Sequence, residues 1–171
     1  PVDALNPLLK VFASGITGTV SGRLKLSGDE GKIVLKGSVM ANKASMKVDY
    51  LQTRYTLNDS IRFDRNKIIF RNIVLTDERD NTAVLNGSVS HNYFKDFGAD
   101  IMVNMKETLV MNTRPKDNEL FYGTAFASGV TTIKSSPASL SFDISATTGK
   151  NTRFFIPLNS GETVTDYSFI T

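Results

Sequence analysis

The chain has no cysteine, no tryptophan and one histidine among its 171 residues. Without cysteine there are no disulfides, no thiolate nucleophile and no zinc–sulfur site, in whatever compartment the protein works. Any imidazole-based mechanism would have to run through His91. That residue stands at a strand end beside Asn92, ahead of an aromatic cluster, the setting of a half-buried structural histidine. Long apolar runs are also missing. The best, from Lys67 to Leu75, is already broken by Arg71 and Asn72, so none can span a bilayer, and no secretory leader opens the chain. Charge of one sign is nowhere concentrated: 20 Lys and Arg are scattered among 17 Asp and Glu. The cations alternate with apolar residues, as in Arg23-Leu24-Lys25-Leu26, which reads as the solvent face of a strand and not as a nucleic-acid footprint. Paired carboxylates, a phosphate-cradling glycine loop and a lysine nucleophile are not evident. Asp77-Glu78-Arg79-Asp80-Asn81 lacks the central glycine and closing glutamate of a calcium loop. Lying between Ile73-Val74-Leu75 and Ala83-Val84-Leu85, it reads as a hairpin turn. No enzyme activity, metal or cofactor is expected.

What is present is alternation. Leu140, Phe142, Ile144 and Ala146 share one side of a strand, and Ser141, Asp143 and Ser145 the other. The same period runs through Arg23 to Leu26, Lys32 to Ala41, Met46 to Leu57, Thr82 to His91 and Asp100 to Lys106. Turn-forming clusters fall between these runs. The pattern predicts one all-β domain over residues 1–171, of about ten strands, with hardly any helix. Asp3 to Val11 could hold a turn or two around Pro7, and His91 to Phe97 a short turn. The start at Pro1 and the strand-like Phe169-Ile170-Thr171 are what a piece cut from a longer protein would show.

One internal echo is plain. Val34-Leu35-Lys36-Gly37-Ser38-Val39 returns fifty residues later as Val84-Leu85-Asn86-Gly87-Ser88-Val89. A glycine inside a strand lowers β-propensity and marks a bend, a bulge or a close backbone approach. The echo favours an elongated, curved or solenoid-like sheet over two similar hairpins in a compact sandwich.

The alternation gathers Leu24, Leu26, Ile33, Leu35, Val39, Leu85, Val89, Ile101, Val103, Leu140, Phe142 and Ile144, with Met46 and Val48, on one apolar face. In a closed sandwich this face is core. In an unclosed sheet it is a hydrocarbon-lined groove suited to acyl chains. Patterning alone leaves both open.

From Ile73 to Thr171 the chain resembles the C-terminal domain of the TamB (translocation and assembly module) family, large AsmA-like envelope proteins of diderm bacteria, in their Bacteroidetes form. The resemblance rests on Asn72-Ile73-Val74-Leu75-Thr76-Asp77, Ala83 to Asn92 and Phe94-Lys95-Asp96-Phe97. It continues through Leu109-Val110-Met111-Asn112-Thr113, Asp117 to Ala125, Ala146-Thr147-Thr148 and Phe155-Ile156-Pro157-Leu158. Residues 16 to 72 fit less distinctively, and Lys134-Ser135-Ser136-Pro137 stands where a Gly-Pro turn is expected. The resemblance implies an antiparallel or mixed sheet folded over an apolar groove like a taco. It also implies a periplasmic location, with an inner-membrane anchor outside this sequence and an Omp85-type barrel (TamA-like) as outer-membrane partner. Its proposed roles are phospholipid transport between the membranes and assistance of outer-membrane protein assembly, so the implied occupants are acyl chains or client β-strands. The other reading is a closed structural or adhesive β-domain that acts through its loops.

Overall fold

In the computed structural model, which describes residues 13–28 and 32–157, nine strands build one curved antiparallel sheet that does not close into a barrel. They are β1 (Ala13–Ser27), β2 (Val34–Val48), β3 (Thr53–Arg65), β4 (Lys67–Asp77), β5 (Thr82–Asn92), β6 (Lys95–Thr113), β7 (Tyr122–Ser136), β8 (Ser139–Thr148) and β9 (Arg153–Phe155). From β1 to β8 the order in the sheet is the order in the chain, and β9 pairs with the start of β7 beyond the end of β8. The described residues contain no helix. The segments Asp3 to Val11 and Phe169 to Thr171, and Leu158, lie outside the described residues.

Such a meander follows from tight turns between strongly alternating strands. At the β5–β6 turn Asn92 pairs with Lys95, and Tyr93 and Phe94 both take positive φ (50° and 66°), a conformation that matches the twist of the flanking strands. At Asp77 to Asn81, read above as a hairpin turn, Asp80 takes the left-handed conformation (φ 62°) and β4 turns back into β5.

Directly paired residues share a face, so the register sorts every side chain. One row runs Leu24, Gly37, Phe63, Ile68, Val89, Ala99, Ser135, Leu140. A second runs Phe70, Gly87, Ile101, Ile133, Phe142, and a third Ile73, Leu85, Val103, Thr131, Ile144. The opposite face carries rows such as Lys25, Lys36, Asp64, Lys67 and Ser90. The sheet is therefore largely apolar on one side, while the other mixes charged and polar residues with scattered apolar ones such as Met40, Val74 and Met102.

Keeping that sidedness over long strands requires corrections of phase, because an inserted residue flips every side chain after it. Three strands carry such insertions around a non-glycine residue of left-handed backbone, besides one on β1 at Gly15 (φ 57°) and a second on β6 between Leu109 and Met111. Register shifts fall between Ala41 and Ala44 on β2, Phe70 and Ile73 on β4, and Met105 and Thr108 on β6. Each contains a residue with left-handed backbone: Lys43 (φ 47°), Asn72 (φ 50°) and Glu107 (φ 49°). In each the freed N–H of that residue is taken by a side chain of the next strand. Lys43 donates to Asn58 Oδ1, Asn72 to Asn86 Oδ1 at 2.8 Å, and Glu107 to Ser128 Oγ at 2.9 Å. After each bulge the apolar parity changes, for example from Ile68 and Phe70 to Ile73 and Leu75, while the face stays the same. Bulges also increase local twist and bend the strand.

Glycine supplies further bends. Gly37 and Gly87, the pair singled out by the fifty-residue echo, have φ of 135° and 130°. A Cβ at Gly37 would lie 2.2 Å from the Arg23 carbonyl oxygen, and one at Gly87 2.1 Å from that of Asp100. The positions are alike in conformation but sit on β2 and β5, three strands apart and running in opposite directions. What recurs is a kink, not a stacked unit.

The curvature is toward the apolar face. Side chains from that face reach β6 across the intervening strands: Tyr55 Oη donates to the Leu109 carbonyl at 2.8 Å, and Asp77 Oδ2 accepts from Leu109 N–H at 2.6 Å. The Asn112 N–H also bonds the Leu51 carbonyl at 2.8 Å, so the β2–β3 loop touches the last part of β6. At this end, where the β2–β3, β4–β5 and β6–β7 connections lie, the sheet draws together over Thr53, Leu75, Thr108, Leu109, Met111 and Thr113, all buried. Ile73, Leu75 and Ala83 form the core cluster, with Tyr55, Leu57, Phe70, Leu85, Val103 and Met105 packed on it. At the other end, where the β1–β2 and β7–β8 turns lie, no such bridge crosses the trough among the described residues.

Candidate functional site

The inner face is the feature on which a function can be built. Eleven of the twelve residues singled out as groove-lining fall on it by register: Leu24, Leu26, Leu35, Val39, Leu85, Val89, Ile101, Val103, Leu140, Phe142 and Ile144. Ile33 precedes β2 and has no partner in the register, but it is exposed like the rim residues. The twelve are not equivalent. Leu85 and Val103 pack against the core cluster, whereas Leu35, Val39, Val89 and Ile101 are half-buried along the floor. The rims are open: on β1 Leu24 and Leu26 are 41% and 64% exposed, and on β8 Leu140, Phe142 and Ile144 are 49–65% exposed.

Sequence reasoning missed several floor residues, among them Phe63, Ile68, Phe70 and Ile133. Phe63 and Phe70 stand directly opposite Gly37 and Gly87, where a ring can lie over a position with no side chain. The available signal was that glycine pairing, but it needs the register to be read.

Three polar groups support the wall without facing a ligand. Asp77 is 5% exposed. Its Oδ1 accepts from Arg79 N–H (2.7 Å) and Asn81 N–H (3.0 Å), which fixes the β4–β5 turn, while Oδ2 holds Leu109. Tyr55 is half-buried beside it, and desolvation, with lesser contributions from the Asp77 and Glu78 charges, raises its phenol above the usual range. The nearby Thr53 side chain acts in the opposite direction. His91 is also buried. Its Nδ1 accepts from Phe94 N–H (3.0 Å), its ring stacks on Phe94 at 4.4 Å, and Phe97 lies 5.7 Å away. Burial holds its imidazole below the usual pKa, which favours the neutral ring. The histidine thus caps the β5–β6 turn.

Chemically, the arrangement offers contact area. A methylene taken out of water against such a wall gains about 0.8 kcal/mol, with no polar anchor needed. No three carboxylate or imidazole groups come together as a metal site among the described residues. Compared with protein-family models, with curated proteins and with solved structures, the chain matches none.

Proposed function

We propose that this chain is a non-enzymatic envelope-biogenesis domain of the TamB kind, whose inner face carries phospholipid acyl chains between the inner and outer membranes. The observation that carries the reading is an apolar face bounded by two exposed apolar rims, on a sheet whose reverse face is more polar. A structural domain of this size would ordinarily bury such a face beneath a second layer. Exposed, it favours an occupant that is itself apolar and interchangeable along its length. Client β-strands of outer-membrane proteins have that character on one side and form a second class of occupant. On this reading the protein works in the periplasm, anchored in the inner membrane through a segment elsewhere in a longer chain, with an Omp85-type, TamA-like barrel as its outer-membrane partner.

The test places charge where folding tolerates it. Leu85→Asp would strike the core cluster, so the rim serves better. Phe142→Asp and Leu24→Asp would have to be desolvated whenever an acyl chain lay against them, at several kcal/mol in an apolar contact. Each is expected to cut photo-crosslinking to a diazirine-labelled phospholipid by about tenfold or more, equivalent to ~1.4 kcal/mol. The control Asn104→Asp, at an exposed position on the opposite face, is expected to change nothing. Absence of crosslinking in the unaltered protein, or equal effects on both faces, would leave the structural domain as the better account.

A further inference from the structure

The end of the sheet that holds the β6–β7 connection differs from the rest in where its apolar side chains lie. Six large apolar residues gather there: Tyr50, Leu120, Phe121, Phe154, Phe155 and Ile156. All but Phe121, which is half-buried, are 50–77% exposed. They form a connected group, with Tyr50 edge-on to Phe121 at 6.2 Å and Phe121 stacked on Phe154 at 5.8 Å. Around the edge of the sheet, Phe155 stacks on Tyr122 at 5.3 Å. Phe154 pairs with Gly123 on the inner face, whereas Phe155 pairs with Tyr122 on the outer. This tip is therefore apolar on both sides of β9.

We infer that this tip is a foot that seats in the headgroup region of a lipid bilayer. A patch that wraps around a strand end has the shape to enter a plane; a covering sheet or strand would meet only one side of it. Amphipathic rings such as Tyr50 and Tyr122 favour the boundary between acyl chains and water. The charge is complementary as well. The segments that carry the aromatics also carry Arg114, Lys116, Lys150 and Arg153, against Asp49, Asp117 and Glu119. Among the described residues only Arg114 is in a salt bridge, with Asp117, which leaves Lys116, Lys150 and Arg153 to reach lipid phosphates.

The foot also joins the trough. On the inner face β9 continues the line of β8, so Phe154 stands in file with Ala146, Ile144, Phe142 and Leu140 along the same edge of β7. An acyl chain lifted from the bilayer at the foot meets that apolar rim once past Thr148 and the β8–β9 turn. The inference rests on the trough reading for this last step alone; docking does not depend on it.

The absence of tryptophan makes the test direct, because a single introduced indole reports its own surroundings. Phe155→Trp at the foot and Tyr93→Trp at the opposite end are each mixed with phosphatidylcholine–phosphatidylglycerol vesicles made with brominated acyl chains. Quenching of the first indole and not of the second is expected. The double variant Phe154→Glu/Phe155→Glu, at exposed positions on a three-residue edge strand, is expected to lose vesicle co-flotation about tenfold or more while its circular dichroism stays unchanged. The pair Lys150→Glu/Arg153→Glu is expected to weaken flotation with the anionic mixture far more than with phosphatidylcholine alone. Failure here separates from failure of the trough: Phe142→Asp is expected to lose lipid crosslinking yet still float with vesicles. No flotation of the unaltered chain, equal quenching of both indoles, or a dimer dissolved by the Phe154/Phe155 variant would overturn the foot. The last outcome would assign the patch to a second copy of the chain.

Discussion

The two ends of this sheet solve the same problem differently. Both present an apolar inner surface, yet one end draws together and the other stays open. At the closed end the closure depends on polar atoms. Asp77 bonds Leu109, Tyr55 bonds the Leu109 carbonyl, and Asn112 bonds the Leu51 carbonyl, so β6 is tied across the trough to β4, to β3 and to the β2–β3 loop. At the open end Leu24, Leu26, Leu140 and Phe142 offer as much hydrocarbon but no such tie, and they stay partly in water. Hydrophobic area alone did not shut this sheet. It is non-directional, whereas a buried carboxylate that accepts backbone N–H groups fixes which strands meet.

The comparison can be broken most severely at Asp77. Asp77→Ala would leave the buried Leu109 N–H without its acceptor and free the turn N–H groups of Arg79 and Asn81. A loss of about 3–4 kcal/mol is expected in urea unfolding. The rim substitution Phe142→Ala removes more apolar surface but from an exposed position, and under ~1 kcal/mol is expected. If the two variants unfolded at the same urea midpoint, the closed end would not be the seat of stability.

Next in size come the kinks. Gly37→Val and Gly87→Val both force a side chain onto a carbonyl oxygen of the neighbouring strand at a φ that valine avoids, and each is expected to cost about 1–3 kcal/mol. Gly87 lies between two strands in the middle of the sheet, whereas Gly37 is one strand from the β1 edge, which has freedom to shift. The larger loss is expected for Gly87→Val, measured by the same denaturant titration. Equal, negligible losses would remove the kinks from the account of curvature.

The smallest effect sharpens the comparison through pH. Tyr55 is held neutral by burial, so its phenol binds its proton more tightly in the folded than in the unfolded chain. That contribution is complete below the ordinary phenol pKa near 10 and declines as the pH rises through the raised folded value. Tyr55→Phe loses a hydrogen bond, about 1 kcal/mol at pH 8. It is expected to lose less further stability than the unaltered protein between pH 9 and pH 11, read as urea midpoints.

The face of the sheet was legible in the sequence because a period of two is a local property. Eleven of the residues marked by alternation land on one side, and the turn at Asp77 to Asn81 lies where its composition placed it. The echo around Gly37 and Gly87 pointed to a bend, a bulge or a close backbone approach, and the two positions share the close approach. What escaped is long-range. The reach of Asp77 to Leu109 spans thirty-two positions and leaves no trace in either neighbourhood. The bulges at Lys43, Asn72 and Glu107 resemble ordinary breaks in alternation, since their partners Asn58, Asn86 and Ser128 lie on the next strand. The aromatic tip is assembled from two connections and the short β9 with Ile156 after it, and no one of them is unusual by itself.

The bulges at Lys43, Asn72 and Glu107 fall on β2, β4 and β6, and each is capped from the strand that follows. Bending at these three is parcelled out one hairpin at a time, like wedges set into an arch. A chain that gained or lost such a hairpin would lengthen or shorten the arc, and with it the span of hydrocarbon the arch can straddle.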